Sequence, residues 1–118
     1  MNRARSPHPL LGAVLLLIVG LPAAAATADS TPQLVIRDQR FVPDALTIPA
    51  GRSVRILVSN EDAIPAELES YDFNREQVIP GHTEIPIFVG PLEPGTYGFF
   101  NDFHPDSKGK LVVEPAAQ

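Results

Sequence analysis

The chain has 118 residues, a formal net charge of -5, thirteen prolines, eight glycines and no cysteine. That length admits one domain, and the acidic balance argues against nucleic acid or an anionic membrane surface as partner. Without cysteine there is no disulfide, no thiolate nucleophile and no sulfur ligand, which excludes zinc ribbons, iron–sulfur centres and blue copper.

Residues 1–28 have the three parts of a cleaved secretory signal peptide. Arg3 and Arg5 form a basic start, an apolar run extends from Leu10 to Leu21, and small residues from Ala23 to Ala28 offer cleavage after Ala26 or Ala28. The apolar run is shorter than the ~20 residues a membrane-spanning helix needs, so no permanent anchor is expected. Removing this segment leaves residues 29–118 as a single domain with seven basic and fourteen acidic residues, a net charge of -7.

Past the apolar run, Thr27 to Pro32 is a polar leader and Gln33 to Arg37 is the first predicted strand. Phe41 to Ile48 reads as an extended segment interrupted at Pro43, which predicts an edge strand or a bulge. Arg52 to Ser59 places Val54, Ile56 and Val58 on one face, the period-two pattern of a half-buried strand. Ile64 to Ser70 resumes an extended path with Glu67 and Glu69 on one face and Leu68 on the other.

Tyr71 to Glu76 is either one helical turn or an irregular crossover. The Pro80-Gly81 turn then leads through His82 into a strand ending at Val89, and Pro91 to Gly95 makes a corner before Tyr97. Two closing strands, one carrying Tyr97 and Phe99 and the other Leu111 to Val113, flank a polar loop. Turn signals every eight to twelve residues around about seven short strands predict an all-β Greek-key sandwich.

The loop between the closing strands gathers Asn101, Asp102, His104 and Asp106. An imidazole among carboxylates suits iron, copper(II) or zinc, whereas carboxylates alone suit calcium or magnesium. On a regular strand Asp102 and His104 share a face and can address one metal. The plain alternatives are a half-buried loop histidine and an Asx-type turn aspartate. Glu67 and Glu69 repel each other unless a cation lies near; either a metal or Arg75 supplies it, or both are solvated acids on a sheet surface. His82 is expected to face solvent. No nucleophile with an adjacent base is legible, which speaks against a hydrolase.

Three stretches, in order, resemble cupredoxins: Phe41-Val-Pro-Asp-Ala-Leu-Thr-Ile-Pro-Ala-Gly51, Leu57-Val-Ser-Asn-Glu-Asp62 with Pro65, and Tyr97-Gly-Phe-Phe-Asn-Asp-Phe-His104 running into Gly109-Lys-Leu-Val-Val-Glu114. The departures are equally specific. Ala66 stands at the first histidine position, Asn101 or Asp102 at the cysteine position, and no methionine follows His104.

Pro65-Ala-Glu-Leu-Glu-Ser70, Arg75-Glu76 and Gly90-Pro-Leu-Glu-Pro-Gly-Thr-Tyr-Gly-Phe-Phe-Asn-Asp-Phe-His104 resemble instead the EfeO-type, iron-uptake-associated branch of cupredoxin-like proteins. That resemblance implies a periplasmic cupredoxin-like domain that binds copper or iron, supports iron uptake beside an iron permease or another periplasmic component, and assists ferrous oxidation. The expected metal ligands are His104, Asp102, Glu67 and Glu69, with a bulge near Pro65 turning Glu67 inward. The alternative is a non-metal β-sandwich module that docks on a permease or partner through its acidic face.

Overall fold

The computed structural model describes residues 2–7, 9, 12–20 and 31–116. The predicted cleavage positions from Ala23 to Ala28 lie outside these residues. Residues 12–20 form no regular element, and Val14 to Val19 are exposed. Among the described residues no helix is long and apolar enough to cross a membrane.

Among the described residues nine strands build two facing sheets, where about seven were expected. They are β1 (Gln33–Arg37), β2 (Arg40–Val42), β3 (Ala45–Pro49), β4 (Val54–Asn60), β5 (Ala66–Ser70), β6 (Arg75–Ile79), β7 (Thr83–Val89), β8 (Gly95–Asn101) and β9 (His104–Glu114). One sheet has the order β2-β1-β4-β7 and the other β3-β9-β8-β5-β6. β1 runs parallel to β4 and β3 parallel to β9, while the remaining pairs are antiparallel.

The two extra strands have local causes. Pro43 ends β2, and the chain re-enters at β3 in the other sheet, so one interrupted segment becomes an edge strand in each. Proline lacks the N–H a central strand must donate, which confines such a break to a sheet edge. The Arg75–Glu76 region is neither helix nor crossover but the start of β6, the edge strand paired to β5.

Alternation puts the core between the sheets. In β4 the buried positions are Val54, Ile56, Val58 and Asn60, and in β5 they include Ala66, Leu68 and Ser70. Phe41 of β2 meets Phe99 of β8 edge-on, with ring centroids 4.9 Å apart and an interplanar angle of 82°. Phe99 also lies over Gly109 of β9, where a Cβ would come within 2.4 Å of its ring. Burying one such side chain contributes about 1.5–3 kcal/mol, so these contacts tie the closing hairpin firmly to the opposite sheet.

Asn60 is the polar counterpart at the end of β4. It is 1% exposed, donates through Nδ2 to the carbonyls of Ile64 (2.9 Å) and Ile79 (3.1 Å), and accepts the N–H of Asp62 through Oδ1 (3.0 Å). Those bonds fix the loop from which β5 starts, and so the position of the glutamates that follow.

Candidate metal centre

β5 pairs with β6 without interruption, from Ala66 opposite Ile79 to Ser70 opposite Arg75. The expected bulge near Pro65 is therefore absent, and a regular pleat sends Ala66, Leu68 and Ser70 to the core and Glu67 and Glu69 to the outer face of the five-stranded sheet. The register sets Glu76 directly opposite Glu69 and Val78 opposite Glu67. Phe100 of β8 flanks Glu69 on the other side.

The outer face is nevertheless closed over Glu67, which is 8% exposed. The tip joining β8 to β9 lies against it: Asp102 donates its N–H to the Glu67 carbonyl at 2.9 Å. One carboxylate oxygen each from Glu67, Glu69 and Asp102 can be chosen so that all lie within 4.8 Å of one another. The hydrogen-bond partner of the Glu67 carboxyl is the Glu76 carboxyl, not a basic group, and among the described residues the sole ion pair is the distant Arg37–Glu61 contact at 2.8 Å.

Arg75 does not neutralise the cluster. It lies opposite Ser70 and on the other strand face from Glu76, and its guanidinium donates to the carbonyl of Phe88 in β7.

Uncompensated charge has a clear electrostatic signature. Burial pushes the Glu67 carboxyl above its usual range, its hydrogen bond with the Glu76 carboxyl adds to this, and the charges of Glu76, Asp102 and Glu69 push it further, because each disfavours a second negative charge nearby. The same field reaches Tyr71, an exposed residue two positions beyond Glu69 whose ring packs 5.5 Å from that of Phe100. Its phenol is raised chiefly by the Glu69 charge, then by burial and by Asp102. A cation placed among these groups relieves every one of those repulsions.

His104 stands apart from this convergence. Asp102 and Phe103 form the tip, and Asn101 pairs with His104 across it, with the register broken between Phe100 and Asn101. Asp102 thus lies in a turn rather than on a strand, and the shared-face rule that links it to His104 does not operate. The half-buried His104 instead lines a cavity of about 250 Å³ with Arg40, Phe41, Asp44, Asp106, Ser107 and Lys108. The structure brings together three of the four expected ligands and places the fourth beside different groups. His82 is exposed at the turn before β7.

Asn101 closes the inner side of the site. It is 1% exposed, and its Oδ1 accepts the N–H groups of both Glu67 (3.0 Å) and Phe103 (3.1 Å). Glu76 was not legible as a neighbour of Glu67 and Glu69, because only the β5–β6 register brings it there.

A family model described as the cupredoxin-like domain matches residues 10–113. The uncharacterized protein RP394 of Rickettsia prowazekii is 35% identical over 81 residues, 69% of this chain and 65% of that protein. The iron uptake system component EfeO of Yersinia pseudotuberculosis is 32% identical over 110 residues, covering 86% of this chain but 29% of EfeO. The chain therefore spans under two thirds of the first relative and under a third of the second. Among solved structures, amicyanin from Paracoccus versutus superposes with a TM-score of 0.59 at 21% identity, over 78% of this chain and 89% of amicyanin, a likeness of fold. With its two-sheet topology, its cysteine-free closing hairpin and a match over most of its length, this chain belongs to the cupredoxin-like domain family.

Proposed function

We propose that the protein is an exported metal-binding component of bacterial iron uptake, holding iron or copper(II) as cargo at Glu67, Glu69 and Asp102. The observation that carries this reading is the convergence of the Glu67, Glu69 and Asp102 carboxylates, with Glu67 nearly buried and, among the described residues, no basic side chain paired to any of the three. Gathering like charges around a largely desolvated carboxyl is costly, and a bound cation offsets that cost. The similarity to EfeO supports iron uptake as the setting, and the basic-apolar-small pattern of residues 1–28 supports export to the periplasm. An iron permease or another periplasmic uptake component is the partner this setting suggests.

The copper centre that a cupredoxin fold implies does not fit these residues. There is no cysteine, and the end of β8 carries a carboxamide whose oxygen already accepts two backbone N–H groups. No electron-transfer step through a thiolate-bound copper follows from this chain. Hard oxygen donors select differently: they favour highly charged ions and hold ferric iron more tightly than ferrous, which lowers the potential of bound iron and favours its oxidation.

The test is calorimetric titration of the purified protein with copper(II) and, without oxygen, with ferrous ion. Binding that is lost in Glu67→Gln and Asp102→Asn supports the reading, whereas no heat with either ion overturns it. His104→Ala is expected to leave the affinity in place, since the imidazole does not join the carboxylates.

A second reading, a non-metal module docking on a permease or partner, draws on the exposure of Tyr71, Glu76 and Asp102 along one acidic face. It predicts a complex that survives chelation and weakens with added salt.

A further inference from the structure

Asn101 has no ligand role to play, yet it is among the most deeply buried polar residues of the chain. A carbonyl oxygen has two lone pairs, and Asn101 Oδ1 directs both to backbone donors, the N–H of Glu67 at 3.0 Å and that of Phe103 at 3.1 Å. One donor belongs to β5 and the other to the β8–β9 tip. These are the two segments that supply the carboxylates.

Beyond these two bonds the segments are joined at few points, among them Ser70 Oγ in β5, which donates to the Gly98 carbonyl in β8 at 2.6 Å. β5 and β8 pair only at Leu68 with Asn101 and Glu69 with Phe100, and the β8–β9 ladder is irregular between Phe100 and Asn101. Asp102 adds one bond, from its N–H to the Glu67 carbonyl at 2.9 Å. Against these bonds stands the repulsion among Glu67, Glu69 and Asp102, which drives the tip away from β5 whenever no cation is present. A carboxamide is suited to resist it, because it supplies an acceptor without adding another negative charge.

We propose that Asn101 is a positioning residue of the metal site: its side-chain oxygen fixes the spacing of the Glu67 and Asp102 carboxylates in advance of a hard cation. The inference rests on the metal-binding reading above and adds to it the residue that presets the geometry. Glu67, nine-tenths buried, lies within the cluster whose spacing Asn101 sets. Groups that orient metal ligands typically change affinity by about 10–100-fold when removed.

The experiment compares wild type, Asn101→Leu, Asn101→Ser and a remote core variant, Val58→Ala, in titrations with copper(II) and anaerobic ferrous ion. Leucine removes the acceptor at similar volume, serine shortens it so that it cannot reach both donors, and Val58→Ala lowers stability from the other sheet. The expected result is a loss of affinity of about tenfold or more in Asn101→Leu and of several-fold in Asn101→Ser. Val58→Ala keeps the wild-type affinity, and amide exchange at Glu67 and Phe103 accelerates only in the Asn101 variants. Should Asn101→Leu fail to fold, Asn101→Ser decides. Wild-type affinity in the Asn101 variants overturns the positioning role and leaves the metal reading standing, as does an equal loss in Val58→Ala. Absence of binding in wild type overturns the metal reading, and the positioning role with it.

Discussion

The N–H of Asp102 meets the carbonyl of Glu67 at 2.9 Å, and this single backbone contact sets two carboxylates from segments 35 positions apart on the same side of β5. Their proximity is unfavourable in the metal-free protein, and the consequences are measurable.

Neutralising Glu67 separates stability from binding. Glu67→Gln is expected to raise the melting temperature of the metal-free protein, because it removes a buried charge that faces Glu69, Glu76 and Asp102. The same variant loses the metal-induced rise, which for a site with ligand at a hundred times Kd amounts to about 2.7 kcal/mol. Thermal melts with and without copper(II) check both effects; a lower melting point in metal-free Glu67→Gln contradicts the electrostatic account.

The pH dependence follows from the raised carboxyl of Glu67. A group whose folded value exceeds its unfolded value stabilises fully below the unfolded value, near pH 4.5 for glutamate, and that contribution disappears as pH rises through the folded value. Glu61 acts in the opposite sense. The hydrogen bond from Arg37 lowers it, so its contribution is present above the ordinary value and is lost as pH falls through the lowered one. The difference between wild type and Glu67→Gln isolates the first effect: urea unfolding should show the variant gaining on wild type as pH increases above about 4.5.

Asn60→Ala is expected to cost about 3 kcal/mol, since it removes three hydrogen bonds at a buried position and strands the Ile79 carbonyl in the core. Equilibrium unfolding in urea measures it. Because these bonds also anchor the loop before β5, metal affinity should fall in the same variant.

Gly109→Ala tests the aromatic packing under the closing hairpin. Its Cβ would lie 2.4 Å from the Phe99 ring, so the ring must shift against Phe41 and Phe73, at a cost of about 2 kcal/mol. A melting temperature equal to wild type would show that the ring moves freely.

Much of the architecture was legible because proline and glycine punctuate the chain and Val54, Ile56 and Val58 alternate cleanly. β6 was hidden for a physical reason. It carries few apolar residues, and its pairing puts Glu76 opposite Glu69, a like-charge arrangement that local preferences argue against. The candidate site was legible in part. Glu67 and Glu69 follow from simple alternation, whereas Asp102 and His104 parted because the chain turns between them. Asn101 was visible as a donor-bearing residue, but its use as a backbone acceptor depends on burial and on a partner 34 positions away.

The pairing of β3 with β9 also constrains when the domain can form. Ala45 lies beside Lys110 and Pro49 beside Glu114, so the five-stranded sheet acquires its outermost strand only after the final stretch of chain is available. Loop closure over such a separation is slow, and contacts this distant in sequence lower folding rates. A polypeptide made from its amino terminus therefore leaves β3 without its sheet partner until β9 is available. The acidic cluster depends on the same late-made stretch, because the tip bearing Asp102 must lie back on Glu67.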